Sequence, residues 1–338
     1  MIKTEYRLTV RRGGKPAFAK ATAGRQNTES AFAEASADRY RIWILIIAAI
    51  AVIFAAFGCR EKRVPETATP VRIITISPNI TEIAFALGLG EKIIAVSSDS
   101  DWPAEAREKI KVGSFWQPDI EAVIAAKPDL VITEKYENQK AIADNLERLG
   151  YKVLNLKMET IADLFTAIQK VGDAAGCRQR SEIVAKDIQK QINNIKAKSA
   201  SMSKVKVLWV IQPDPLRVAG RNTFINGMIE IAGGENAIGA TIQPYPPISG
   251  EELSGCGAEV IIQSAMGTAG ISEQKKTAEL FWSKFSNLPA VINNKVFVIN
   301  ADTVLRLGPR LPEGIEAVAL LLHPEEFSEK TGVDKDLK

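Results

Sequence analysis

The stretch VRIITISPNITEIAFALGLGEKIIAVSSDSDWPAEAREKIKVGSFWQPDIEAVIAAKPDLVIT, from Val71 to Thr133, decides the fold. Residues 71–76 are rich in isoleucine, as a strand buried on both faces requires. Ser77-Pro78-Asn79 breaks the run, and Asn79 followed by Glu82 reads as a helix N-cap with its reciprocal partner. Residues 80–87 space their apolar side chains as a short helix does, and Gly88 and Gly90 close it. Further strands are expected at 93–96 and, after the Pro128-Asp129 turn, at 130–133. Strand, helix and strand in this order make a parallel α/β layer.

The alternation continues toward the C-terminus. A helix at 139–149 stops at Gly150, a strand follows at 151–156, and Thr160 opens a helix reaching about residue 175. The first sheet therefore has at least four strands. Residues 177–201 contain no Gly or Pro and carry Ile183, Ile188, Ile192 and Ile195 at mixed helical spacing. Some twenty residues of helix extend about 30 Å, enough to cross a small domain or to bridge two of them. The pattern restarts with a buried strand at 205–211, and Thr223 precedes a helix stopped by Gly233-Gly234. Strands follow at 259–263 and 296–300, and Pro309 stands at the expected start of a last helix toward Leu322. Two α/β lobes of this kind leave a cleft between them for a small ligand.

The 338 residues leave room for two domains, and 46% hydrophobic with 25% charged residues is an ordinary globular composition. The net charge of +3 hides an asymmetry. Residues 1–41 hold nine Lys or Arg against four Asp or Glu, which leaves the remainder mildly acidic at −2. Such a body argues against nucleic-acid binding. Residues 1–41 also repeat AFAKATAGR as AFAEASADR fourteen positions on, too short a repeat to bury a core. Residues 42–57, IWILIIAAIAVIFAAF, are sixteen apolar residues preceded by Arg39 and Arg41 and followed by Gly58-Cys59. A spanning helix needs about 20. Two readings are open: a lipoprotein signal with Cys59 lipidated, or an uncleaved anchor. Both leave the body outside the cytoplasmic membrane.

Chemistry of bond-making is poorly represented. His323 is the only histidine and stands where a helix ends. No paired metal-ligand spacing, phosphate loop or nucleophile elbow occurs. Cys177 and Cys256 are either a disulfide of an exported protein or two small buried side chains. Aromatic rings in loops are more informative. Trp102 sits in SDWP, Phe115 and Trp116 follow Gly113, and Tyr245 lies between Pro244 and Pro246. Such rings either cover lobe edges or stack on a broad, flat ligand. Glu121 and Glu251 each stand in the first turn of a short helix just after these loops, where the helix dipole favours an acid.

Several motifs in order resemble the substrate-binding proteins of ABC importers for vitamin B12, ferric siderophores and haem. They are SPN-x-TE from Ser77 to Glu82, ALGLG from Ala86 to Gly90, SDWP from Ser100 to Pro103, and VGSF from Val112 to Phe115. DIEAVIAAKPDLVI from Asp119, AGGENA from Ala232 and the ending GPRLPEGIEAVALLLHPE from Gly308 complete the series. The likeness spans residues 71–326, and SDWP with GPR…HPE leans toward the vitamin B12 branch.

The resemblance implies two Rossmann-like α/β lobes joined by a single long bridging helix, with the ligand cleft between lobes. The expected organisation is an extension at 1–41, a signal or anchor at 42–59 and a linker at 60–70. A first lobe at 71–176, a bridge at 177–203, a second lobe at 204–326 and a tail at 327–338 follow. The resemblance also implies a monomer without catalysis or cofactor, whose cargo is a corrinoid or another metal chelate and whose partner is an ABC permease dimer. Asp99, Phe115 and Tyr245 fall where vitamin B12-binding members carry cleft aromatics, and Asp99 departs from that pattern. Glu121 and Glu251, with Glu252 as a substitute, fall where the family docks on permease arginines. An anionic siderophore is the rival cargo, and Arg217, Arg221, Arg306 and Arg310 are the second-lobe cations able to receive it.

Overall fold

The protein is described by a computed structural model over residues 72–265 and 270–328. The apolar run 42–57 and Cys59 lie outside the described residues. Among those described, no helix is long and apolar enough to cross a membrane.

Two sheets organise the chain. The first holds β1 (Ile73–Thr75), β2 (Ile93–Val96), β3 (Ile110–Lys111), β4 (Leu130–Glu134) and β5 (Val153–Leu156) in the order β3-β2-β1-β4-β5. All four pairings are parallel. The second sheet contains β6 (Val205–Pro213), β7 (Leu216–Val218), β8 (Gly234–Asn236), β9 (Val260–Ala265) and β10 (Val296–Asn300) in the order β10-β9-β6-β7. β8 runs parallel to the start of β6, and β7 returns antiparallel along its end.

Alternation along the strands sorts the core. Ile73, Leu130 and Ile132 enter one cluster while Ile74, Ile76 and Val131 enter another on the opposite face. In the second sheet Val207, Trp209, Val260 and Ile262 join the same cluster as Ile73, whereas Leu208, Val210 and Ile261 face a separate one. A period of two with both faces buried is what parallel strands covered by helices require.

The helix Arg178–Ser199 joins the lobes. It packs on the helix Ile161–Ala174 of the first lobe and on Leu311–Leu322 of the second. Ile188, Ile192 and Ile195 are buried in the shared core, while Ile183 is exposed. Each buried isoleucine contributes about 1.5–3 kcal/mol relative to exposure, so the lobes share one apolar spine.

Two local expectations need correction. Ser77, not Asn79, precedes the first helix, which runs Pro78–Ala86 and makes no side-chain cap. Asn79 and Glu82 lie within it, and Glu82 is used elsewhere. The first sheet has five strands, in keeping with the expected minimum of four, and the additional one, β3, has two residues, too few to show a period. The last long helix begins at Leu311, with Pro312 rather than Pro309 in its first turn. Thr160 behaves as expected: its hydroxyl and Asp163 form a reciprocal capping box. His323 ends the helix Leu311–Leu322, with Nε2 3.3 Å from the Gly233 carbonyl oxygen. Cys177 and Cys256 are free thiols.

Candidate functional site

In an open α/β sheet, ligands bind beyond the strand C-termini, where neighbouring connections leave in opposite directions. The first sheet has this reversal between β1 and β4, and the second between β6 and β9. A cleft of about 960 Å³ opens there, lined by Ser77 and Asn79 after β1 and by Glu134 at the end of β4. Ile211 of β6, Ala265 of β9 and Asn300 of β10 line it from the other lobe. The volume is near the top of the range of roughly 300–1,000 Å³ usual for small-molecule sites.

Three rings cluster on the first-lobe wall. Phe115 meets Trp116 at 4.8 Å and Tyr136 at 5.4 Å between centroids, and Trp116 meets Tyr136 at 6.0 Å, all edge to face. Tyr245 lines the cleft from the second lobe, and burial pushes its phenol well above the usual range. Trp116 is 65% exposed, an unusual amount of apolar ring to leave in water.

The loop presenting Phe115 and Trp116 is tightly held. Gly113 has φ +85°, and a Cβ there would meet the backbone of Gln117 and Asp119 at 2.5 Å. The Phe115 N–H donates to Asp99 Oδ2 at 2.6 Å. The Phe115 carbonyl accepts from Gln139 Nε2 at 3.1 Å, and the same amide group reaches the Ile76 carbonyl at 3.2 Å. Gln139 is completely buried, and its Oε1 accepts the Glu134 N–H at 2.8 Å. Asp99 thus lines the cleft as an anchor for the aromatic loop, which gives an acid a purpose where a ring was expected.

Trp102 does not line the cleft. The Arg310 guanidinium lies 4.7 Å above its ring. Arg310 in turn holds Glu82 by two parallel bonds, Nε to Oε2 at 2.9 Å and Nη2 to Oε1 at 2.6 Å. Arg306 reaches Glu82 Oε1 at 3.4 Å, Asp101 Oδ1 at 2.6 Å and Asp302 Oδ1 at 2.6 Å. Burial raises the Asp101 carboxyl, and the Arg306 guanidinium more than offsets this, leaving it below its ordinary value. Glu82 and Asp101 belong to the first lobe and both arginines to the second, so the network ties the lobes together.

Lining charges are predominantly acidic. Among the described residues, Asp99, Glu134, Glu159 and Asp302 face Lys135 and Arg306, four acids against two cations. Of the four arginines proposed to receive an anion, Arg306 alone lines the cleft, and it is engaged by carboxylates. Arg217 binds the Tyr245 carbonyl and Arg221 the Ile238 carbonyl.

Glu134 is 3% exposed, and burial pushes its carboxyl from 4.5 up to about 7 against the lowering effect of hydrogen bonds from Ser77 and Asn79. Because the folded value is raised, its contribution to stability is complete below pH 4.5 and is lost as pH rises through about 7. Between about pH 5.5 and 8 the expected loss is on the order of 2 kcal/mol. Urea unfolding of Glu134→Gln should lack that slope. An identical pH dependence in wild type and variant would assign the slope to other groups.

Glu121 and Glu251 are exposed in the first turns of the helices Ile120–Ala125 and Gly250–Gly255. Asp119 caps the first by accepting the Ala122 N–H at 3.0 Å. In the second, Glu252 Oε2 accepts the Ser249 N–H at 2.8 Å within a capping box. Glu252 is therefore occupied locally, and Glu251 is not needed for the cap.

Residues 73–303 match the family described as periplasmic binding protein. The chain belongs to that family. This periplasmic binding protein is 32% identical over 243 residues to the vitamin B12-binding protein of Vibrio parahaemolyticus serotype O3:K6, spanning 71% of the chain and 84% of the relative. Its fold superposes on the periplasmic vitamin B12 binding protein BtuF of Vibrio cholerae with TM-score 0.67 and 25% identity, covering 78% of this chain and 99% of the other. A periplasmic haem binding protein from Pseudomonas aeruginosa gives TM-score 0.66 and 26% identity over 76% and 94% of the two chains. The likeness covers both lobes of this binding protein and the cleft they enclose.

Tyr136 and Glu134 escaped the sequence reading. Their only local signal is position, at and just beyond a strand end, and it becomes informative once β4 is known to neighbour β1.

Proposed function

We propose that the chain is the extracytoplasmic substrate-binding component of an ABC importer, capturing a corrinoid and delivering it to a permease. Cys59 is the proposed tether, and no chemistry is performed on the cargo. The observation carrying the reading is a large cleft walled by Phe115, Trp116, Tyr136 and Tyr245 whose charged lining is mainly acidic. Rings of this size stack on a broad macrocycle with little loss of conformational freedom. An excess of carboxylates opposes anionic siderophores and other polyanions and leaves a macrocycle rimmed with neutral amides unopposed. The vitamin B12-binding relatives point the same way.

Haem is the second reading, favoured by the haem-binding neighbour and by the two tyrosines, since a phenolate can ligate haem iron. Burial raises both phenols, with the nearby carboxylates adding to it at Tyr136. Haem also brings two propionates to a cleft whose charged lining is mainly acidic, which ranks it below a corrinoid.

The test is calorimetric titration of the protein with cyanocobalamin, cobinamide, haemin and a ferric siderophore, with tryptophan fluorescence followed in parallel. Cyanocobalamin and cobinamide are expected to bind and to quench fluorescence. Phe115→Ala, Trp116→Ala and Tyr245→Ala should each lose about 1–3 kcal/mol of binding. Tighter binding of haemin or siderophore, or unchanged affinity in all three variants, would overturn the assignment.

A further inference from the structure

Glu134 occupies the floor of the cleft at the first-sheet reversal point, yet its carboxyl is almost wholly withdrawn from water. Ser77 Oγ donates to its Oε1, and the Asn79 side chain supplies a second hydrogen bond. Both partners come from the junction between β1 and the helix Pro78–Ala86, and both also line the cleft. Neither carries charge. A buried carboxylate without an ionic partner is expensive to keep, and a glutamine would make similar hydrogen bonds within the fold. What glutamine would lack is the capacity to be negative.

The neighbouring charges do not neutralise it. Lys135 and Tyr136 follow Glu134 in the chain, Asp99 and Glu159 line the cleft from the first lobe, and Asp302 and Arg306 line it from the second. Arg306 already serves three carboxylates. The phenol of Tyr136 is itself raised, by burial first and then by Glu134 and Glu159. The cleft floor is therefore a place where a ligand's carboxylate meets a second carboxylate whenever Glu134 is ionised, while its amide N–H₂ meets an acceptor.

We propose that Glu134, held by Ser77 and Asn79, is the specificity-determining residue that admits macrocycles rimmed with carboxamides and turns away those rimmed with carboxylates. This rests on the corrinoid reading above and adds to it the feature of the cargo being recognised. Burial holds the Glu134 carboxyl up to about 7, so the selection operates above neutrality and relaxes in acid.

The experiment compares cyanocobalamin with the mixed monoacids made by hydrolysing one of its rim carboxamides. Equilibrium binding to the full chain is measured at about pH 8 and pH 5.5 for wild type, Glu134→Gln and Glu134→Asp. Wild type should prefer the intact amide by about tenfold at the higher pH, the scale of one close like-charge contact in a partly solvated site. The preference should fall below about threefold in acid, and Glu134→Gln should show that weak preference at both pH values. Glu134→Asp, which keeps the charge, should retain most of the preference at pH 8. A wild-type preference that ignores pH, or one that survives in Glu134→Gln, would overturn the proposal while leaving corrinoid binding intact. Failure of wild type to bind either corrinoid would overturn both together.

Discussion

Replacing both Arg306 and Arg310 with alanine is expected to destabilise the protein by about 3–5 kcal/mol, because Glu82 is left as a buried, uncompensated carboxylate. The Glu82 side chain is 2% exposed and receives both arginines, one of them by two parallel bonds. Asp101 and Asp302 are about half exposed, so their share is screened by water and contributes far less. Urea unfolding measures the loss directly. Adding Glu82→Leu to the double variant should restore most of it, since removal of the whole buried set leaves no stranded charge. A triple variant no more stable than the double would show that packing against Trp102 and its surroundings, not charge, holds this region.

Uptake is expected to fall to the level of cells lacking the protein when Glu121 and Glu251 are both changed to lysine, with ligand affinity within about twofold of wild type. The two acids stand one per lobe on short helices whose caps, Asp119 and the Ser249–Glu252 box, do not involve them. Reversal therefore replaces a favourable dipole contact of about 0.3–1 kcal/mol at each site by an unfavourable one of similar size, a small cost to the fold. Charge pairs at the rim of an interface set encounter rate and register, and a reversed pair repels. Labelled-ligand uptake in cells carrying the cognate permease is the measurement, with Glu121→Gln and Glu251→Gln giving an intermediate result. Normal uptake by the double lysine variant would return both residues to ordinary helix starts.

The sequence was most readable where local rules suffice. Thr160 with Asp163, the isoleucine-rich β1 and the unbroken helix Arg178–Ser199 all declare themselves within a few residues. Glu82 was misread for the opposite reason. Its spacing from Asn79 imitates a capping partner, whereas its true partners lie 224 and 228 residues away. Tyr136 and Glu134 were invisible because strand order, not chain order, brings the end of β4 beside the end of β1. Asp99 looked anomalous until the Phe115 N–H gave it a bond. The aromatic loops were legible as unusual, but which rings meet in the cleft and which, like Trp102, brace a guanidinium depends on the second lobe.

The ion network also spans the order in which the chain is made. Glu82 leaves the ribosome early and the five strands of the first sheet are complete by Leu156, while Arg306 and Arg310 emerge only near the end of the chain. Until then the helix Pro78–Ala86 has no cation with which to bury its glutamate. The sheet of the first lobe is thus encoded about 150 residues ahead of the first cation that buries Glu82. A chain halted before Arg306 lacks both of the cations that bury Glu82.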